Sequence, residues 1–265
     1  MEGSLEPGSR RIEASPGRRP VPFSRSDGDP IEEDDLTASA LGEVIEASTT
    51  RFVAQCPRAH LHDPPAFGAF VKVMPPDAPM AAPGEVGDIG SADPFADPRP
   101  RAPQELPVGT PDGVIYALVF AATTGSPEPG RRPTAYGLEE ARLRQEQPQI
   151  FDLLTTEFAA LHLAFAQEGR VRLDTPPRPP RLHAFVYACT PEEVCALTDS
   201  PDFVRPLLAA PGEVSPDELI AASLRHAYRC RHADFAFLVR AGKQLAQLLH
   251  ADPERLTALL RKLEP

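Results

Sequence analysis

The chain has 265 residues, a formal net charge of −11 at pH 7, and 33 prolines. A negative charge of this size excludes broad electrostatic binding to nucleic acid or to an anionic membrane, and leaves room only for a local basic patch. No apolar run approaches the roughly 18 residues needed to cross a bilayer, and the four cysteines occur singly, without any CxxC pair. These features favour a soluble cytoplasmic protein with reduced thiols.

Residues 1–37 contain Gly, Ser, Pro, Arg and acidic side chains, with few large apolar groups. They carry too little apolar surface to offset the entropy lost on ordering. We therefore expect a disordered tail, and an interaction arm remains the alternative.

The stretch GEVIEASTTRFVAQC, residues 42–56, is the first in which side chains alternate as in a sheet. Ser48 and Thr49 suit a turn, because their hydroxyls bond nearby backbone groups. The pattern predicts a hairpin with these shared faces: Val44 with Glu46 on the first arm, and Phe52 with Ala54 and Cys56 on the second.

Further strands are predicted on both sides of a proline-rich interruption. GAFVKVM, residues 68–74, forms a third strand, with Ala69, Val71 and Val73 on one face. Residues 75–111 hold ten prolines without a regular period, as in a flexible insertion. The largely apolar GVIYALVFAA, residues 113–122, resumes the sheet.

A helical excursion is predicted at 137–155, in two short helices, as a cap on the sheet. Residues 158–166 alternate again, with Leu161, Leu163 and Phe165 on one face. The Glu168–Gly169 turn returns the chain as a strand at 170–173, and LHAFVYAC, residues 182–189, is the last strand.

Beyond Thr190 the period becomes helical. Thr190 and Ser215 each precede a proline, with glutamate three residues after the hydroxyl, so both predict capping boxes. Helices are expected at 191–199, 202–209, 216–230, 234–249 and 253–263. Two apolar stripes are predicted, Leu219 with Ala222, Leu224 and Ala227, and Phe235 with Leu238, Leu245 and Leu249.

Short strands followed by clustered helices indicate an α+β fold: a small closed antiparallel β-barrel with a C-terminal α-helical bundle. The predicted organisation is a tail at 1–37, a barrel domain at 38–190 that contains the insertion at 75–111 and the excursion at 137–155, and a helical domain at 191–265.

No GxSxG, GxxxxGK[ST], HExxH or GxGxxG motif occurs, so no catalytic residue, cofactor or metal ligand is predicted. His226, Cys230 and His232 have a spacing that could share a metal. Because the set lacks a nearby fourth ligand, a surface histidine beside a buried cysteine is the preferred interpretation.

The loop that contains Arg131 and Arg132 is the predicted partner-binding site. Nearby prolines hold the two guanidinium groups at a reduced ordering cost, in a form that suits carboxylates or phosphates. The alternative is a pairing of one arginine with Glu139 or Glu140. Arg51, on the second hairpin arm, completes the predicted site.

Six segments resemble the bacterial HAS-barrel proteins, named for a barrel shared by HerA-type DNA translocases and ATP synthase subunits. The similarity covers 41–74 and 112–263. The segments are GEVIEASTTRFVAQC, FGAFVKV, DGVIYALVFAATTGSPEPGRRP, PPRLHAFVYAC, ELIAASLRHA and FLVRAGKQLAQLL. In the HerA family this barrel precedes the ATPase core and helps ring assembly and docking of the NurA nuclease. No ATPase core follows here, so the resemblance implies a stand-alone scaffold or adaptor.

The predicted function is therefore a non-enzymatic adaptor that associates with a HerA-like hexameric ATPase and a NurA-like nuclease in DNA end processing, itself able to form homo-oligomers. The alternative is an OB-like barrel that binds nucleic acid directly, which needs aromatic side chains beside cations. An enzyme with an unrecognised site is a third class.

Overall fold

A computed structural model describes residues 40–75, 106–107, 110–128, 130, 133–208 and 214–263. Within them the chain is α+β, as predicted, with a closed antiparallel barrel and helices that are mostly C-terminal. The strands are β1 (Gly42–Ala47), β2 (Arg51–Gln55), β3 (Phe70–Val73), β4 (Ile115–Gly125), β5 (Thr155–Gln167), β6 (Arg170–Arg172) and β7 (Phe185–Ala188). The predicted tail at 1–37 and most of the predicted insertion at 75–111 lie outside the described residues.

Six strands close the barrel in the order β2-β1-β7-β3-β4-β5, and β5 pairs back with β2. β6 lies outside this ring and pairs with β5. Because neighbouring strands are antiparallel, β1, β3 and β5 end where β2, β4 and β7 begin. We call this end of the barrel the mouth end, and it also carries the β1–β2 turn.

The predicted hairpin is present, but its first arm contains a β-bulge. Val44 lies opposite Ala54, whereas Glu46 lies opposite Val53, so the register shifts at Ile45. Glu46 is therefore exposed while Val44 is buried, and the prediction that they share a face is wrong. The second arm is as predicted, since Phe52, Ala54 and Cys56 are all buried.

Small and branched side chains fill the barrel interior. One core cluster gathers inward-facing residues of all six barrel strands: Val44, Phe52, Ala54, Cys56, Val71, Val73, Ala117, Val119, Phe158, Ala160 and Val186. The rings of Phe52 and Phe158 meet edge-on at 6.4 Å between centroids. This interior is a packed core rather than an open channel.

The C-terminal helices pack on the outer face of β3, β4 and β5, whereas the two short helices within 137–155, predicted as a cap on the sheet, bury no residue. Their bounds are α1 (Glu140–Glu146), α2 (Gln149–Asp152), α3 (Pro191–Asp199), α4 (Val204–Leu208), α5 (Pro216–Cys230), α6 (Phe235–Leu248) and α7 (Pro253–Arg261). Leu118 and Phe120 of β4 share one apolar cluster with Leu197, Leu224 and Leu245 of three helices. The barrel and the C-terminal helices therefore bury a common core. In the described part of the chain, no helix is long and apolar enough to span a bilayer.

The helix starts follow the sequence signals in part. Thr190 and Glu193 form both hydrogen bonds of a capping box, as predicted. At Ser215 the side chain accepts no capping hydrogen bond, so that predicted box is wrong, although α5 begins at the predicted residue. Phe235 is 64% exposed rather than buried in the second stripe. The buried ring there is Phe237, which lies under the Arg231 guanidinium at 4.2 Å.

One buried ion pair joins the barrel to α3. Lys72 Nζ on β3 lies 2.8 Å from Oε1 and 2.9 Å from Oε2 of Glu193. Tyr116 donates its hydroxyl to the same carboxylate at 3.3 Å, and the Thr190 backbone N–H donates to it at 2.8 Å. Burial and the neighbouring Glu193 charge raise the pKa of Tyr116, so it stays a neutral donor.

Candidate functional site

The mouth end of the barrel opens into a cleft of about 960 Å³, which we call the mouth cleft. Four strand ends and the β6–β7 connection line it. The residues that matter below are Val73, Ile115 and Phe165 from the strands, Pro176–Pro180 from the connection, and Arg181, Leu182, His183, Phe185 and Tyr187 at and after its end.

The inner part of the mouth cleft is apolar. Val73 lies opposite Ile115, which lies opposite Phe165, so the three side chains share the inward face of neighbouring strands. Phe165 reaches this position because the β4–β5 register shifts between Tyr116 and Ala117. The prediction that Phe165 shares a face with Leu161 is wrong for this reason, as Leu161 packs toward the helices.

A proline-rich wall forms the outer side of the mouth cleft. Pro176 and Pro180 are buried and anchor this wall, while Arg178 between them is exposed. Proline fixes the backbone φ angle, so the wall loses little further freedom when a ligand binds. Within the described ranges, neither Arg178 nor Arg181 takes part in an ion pair or a side-chain hydrogen bond.

Two large apolar side chains stand at the rim beside these arginines. Leu182 is 56% exposed and Phe185 is 37% exposed. Single exposed apolar residues are common, but these two belong to one concave surface that also carries two cations. The combination of guanidinium groups and accessible apolar surface is typical of a protein-binding site.

His183 holds the rim in an unusual backbone conformation. Its φ angle of 67° lies in the left-handed region, which residues other than glycine seldom adopt. Its N–H donates to the Val44 carbonyl at 2.8 Å, and its Nδ1 lies 2.5 Å from Glu43 Oε1. These two contacts to β1 fix the strand start that presents Leu182 and Phe185.

The polar side chains that line the mouth cleft include Asp112, His183 and Tyr187. Among the described residues, the lining contains no serine, threonine, cysteine or lysine, the side chains that most often serve as nucleophiles. The Asp112 carboxylate accepts the Glu168 backbone N–H at 2.7 Å, and burial raises the pKa of Tyr187. Among the described lining residues, no side-chain hydrogen bond joins two of these groups.

The structure separates the predicted site residues. Arg131 and Arg132 lie outside the described residues, so their role stays a prediction. Arg51 begins β2 at the mouth end, where its backbone N–H donates to Ser48 Oγ at 3.1 Å, but it does not line the mouth cleft. Sequence reasoning missed Arg178, although Pro177 and Pro179 flank it in the way that drew attention to the other loop.

No family model matches the chain, and no curated protein is significantly similar to it. The geometry of the mouth cleft and the resemblance stated above therefore carry the functional proposal.

The spacing of His226, Cys230 and His232 could share a metal, but the His226 ring packs against the barrel. The His226 ring packs 5.6 Å from the Phe70 ring, and burial lowers the pKa of His226. In the portion of the chain that the structure covers, no three His, Cys, Asp or Glu side chains are grouped so that they could hold a metal ion.

His162 predicts a pH-dependent stability of the barrel. Its Nδ1 donates to the Thr49 carbonyl at 2.9 Å, and its buried Nε2 has no hydrogen-bond partner within the described residues. Burial lowers the pKa of His162, and the Thr49 carbonyl opposes this shift. The unfolded chain, with an ordinary histidine pKa of about 6.5, therefore takes up a proton before the folded chain does.

The neutral, buried His162 therefore stabilises the folded state. We expect this contribution to the free energy of unfolding to be fully present above about pH 6.5 and to be lost as the pH falls toward the lower pKa of the folded state. Urea unfolding across that range should show a smaller decline for His162→Phe than for the parent protein. The exposed His250→Gln variant is the control and should keep the parent profile. An identical decline in His162→Phe would show that other groups set the pH dependence.

Proposed function

We propose that this protein is a non-enzymatic adaptor that binds a protein partner at the mouth cleft. The observation that carries the proposal is the proline-anchored wall on which Arg178 and Arg181 stand beside the exposed Leu182 and Phe185. Rigid cationic forks next to accessible apolar side chains are the elements of an interface core and its rim.

The partner we propose is a HerA-like hexameric ATPase, alone or with a NurA-like nuclease, in cytoplasmic DNA end processing. The support is the resemblance of six segments to HAS-barrel proteins; four of these segments contain the strands β1, β2, β3, β4 and β7 of the closed barrel. In the HerA family the HAS barrel helps ring assembly, and the barrel of this chain is suited to bind the same kind of ring. We also propose that the chain associates with itself, which sedimentation would measure.

The test is a binding measurement between the purified 265-residue chain and a purified HerA-like ATPase from the same organism. We expect a complex in size-exclusion chromatography with light scattering, formed without DNA and insensitive to nuclease. Adding a NurA-like nuclease should enlarge the complex. Failure to bind either protein at concentrations of about 10 µM, in the range of transient contacts, would contradict the proposed partner.

Direct DNA binding is the second candidate, and one observation favours it. The mouth cleft combines Phe165, Phe185 and Tyr187 with Arg178 and Arg181, which is the aromatic and cationic mixture that single strands prefer. The chain's net charge of −11 opposes it. Anisotropy of a fluorescein-labelled oligothymidine should therefore remain unchanged on addition of the chain. Saturable binding that weakens steeply with salt would favour the second candidate instead.

A further inference from the structure

We propose that the mouth cleft recognises an extended acidic segment of the partner, with carboxylates on Arg178 and Arg181 and an apolar side chain beside Leu182 and Phe185. This inference rests on the proposed adaptor function and names the chemistry that the partner must present.

The charge of the wall is available. Three exposed arginines on the described surface pair with a carboxylate: Arg58 with Asp152 at 2.8 Å, Arg142 with Glu146 at 2.7 Å and Arg205 with Asp202 at 2.9 Å. Arg178 and Arg181 have no such partner among the described residues. Guanidinium forks pair well with carboxylates, through two parallel hydrogen bonds that the charges strengthen.

The apolar part accepts a side chain next to these charges. Phe185 and Leu182 are exposed at the rim, and the half-buried Phe165 lies deeper, beside Ile115. A cleft of about 960 Å³ is large enough for several side chains of a segment. A purely acidic ligand would leave this apolar surface in water, so the segment that fits best carries both kinds of residue.

The wall cannot extend the sheet by adding a strand. Pro177, Pro179 and Pro180 lack backbone N–H groups, so a ligand cannot form a regular ladder with this wall. Selectivity must therefore come from side chains, which is why the arginines and the apolar rim determine the ligand. Because the wall is rigid before binding, the ordering cost falls mainly on the ligand.

The test uses the full chain and a short fluorescein-labelled peptide in which glutamate alternates with leucine and phenylalanine. We expect saturable binding by anisotropy, and little binding of the matched peptide in which glutamine replaces every glutamate. Affinity should fall with rising salt, because the pairs at the rim are exposed to solvent.

Variants of the chain test whether the peptide binds at the mouth cleft. Arg178→Gln with Arg181→Gln should weaken binding roughly tenfold or more, the loss of at least one charge-assisted bond. Leu182→Ser should also weaken it. The control is Arg229→Gln with Arg240→Gln, which makes the same change in net charge on exposed positions of α5 and α6 and should bind as the parent does.

Several results would overturn the inference: equal binding of the glutamine peptide, equal effects of the two arginine pairs, or full competition by oligothymidine. Self-association that Arg178→Gln with Arg181→Gln abolishes would identify a second copy as the occupant instead. The adaptor function is tested separately, by formation of the complex with the ATPase. If the variant with Arg178→Gln and Arg181→Gln forms the ATPase complex as well as the parent does, the adaptor role holds and the mouth cleft is not its site.

Discussion

Phe52→Ala is expected to lower the free energy of unfolding by about 3–5 kcal/mol, as truncation of a buried phenylalanine does in other cores. Phe52 is only 1% exposed, and it fills the centre of the barrel interior. Its ring meets the Phe158 ring at 6.4 Å and the His162 ring at 5.8 Å. A closed barrel has little freedom to collapse around the space that alanine would leave, since six paired strands hold its wall.

Urea unfolding followed by circular dichroism measures this effect. The matched control is Phe235→Ala, which removes the same side chain from a site that is 64% exposed and should change stability by about 0.5 kcal/mol or less. The slope of the transition should remain unchanged in both variants. Equal losses for Phe52 and Phe235 would contradict the assignment of the barrel interior.

Glu193→Ala is expected to cost a similar amount, about 3–5 kcal/mol, because it leaves the Lys72 ammonium without its counter-charge. The Glu193 side chain is 4% exposed and that of Lys72 is 18% exposed, so water replaces the lost carboxylate poorly. The same carboxylate accepts the Tyr116 hydroxyl and the Thr190 N–H, and both donors would lose their acceptor. The substitution therefore weakens both the start of α3 and its attachment to the barrel.

Two further variants separate charge from capping. Glu193→Gln keeps a capping side chain but removes the charge, so it should cost less than Glu193→Ala. Lys72→Met combined with Glu193→Gln should recover part of the loss, because no charge is then left buried. The exposed pair of Arg142 with Glu146 is the control, and Arg142→Ala should cost about 0.5 kcal/mol or less. Additive effects of the Lys72 and Glu193 changes would show that the two charges do not interact.

The helical half of the fold could be predicted closely from the sequence. Helices α3 and α5 begin and end where the sequence placed them, because Pro191 and Pro216 mark first helical positions. The stripe that contains Leu219 and Leu224 is buried as predicted. The prediction that Phe235 belongs to the second stripe was wrong, because helical spacing alone does not define which of two nearby phenylalanines meets the core. Phe237 is buried instead, and Arg231 stacks on its ring.

The barrel was predicted as a class but not in its details. Bulges at Ile45 and beside Leu163 each reverse the faces that follow, and a bulge has no distinct signature in alternating side chains. The mouth cleft could not be located from the sequence, because its lining comes from four strand ends and one loop that are distant along the chain. The flanking prolines of Arg178 were visible, yet only closure of the barrel brings that loop beside Phe165.

The most direct test of binding at the mouth cleft is photo-crosslinking from single positions of the full chain. A benzoylphenylalanine at Leu182 is compared with one at Phe235, since both sites are exposed and carry a large apolar side chain. With the HerA-like ATPase or the acidic peptide present, we expect covalent adducts from position 182 and none from 235, unaffected by nuclease. Adducts from 235 alone, from neither position, or only with nucleic acid would contradict a protein-binding mouth cleft.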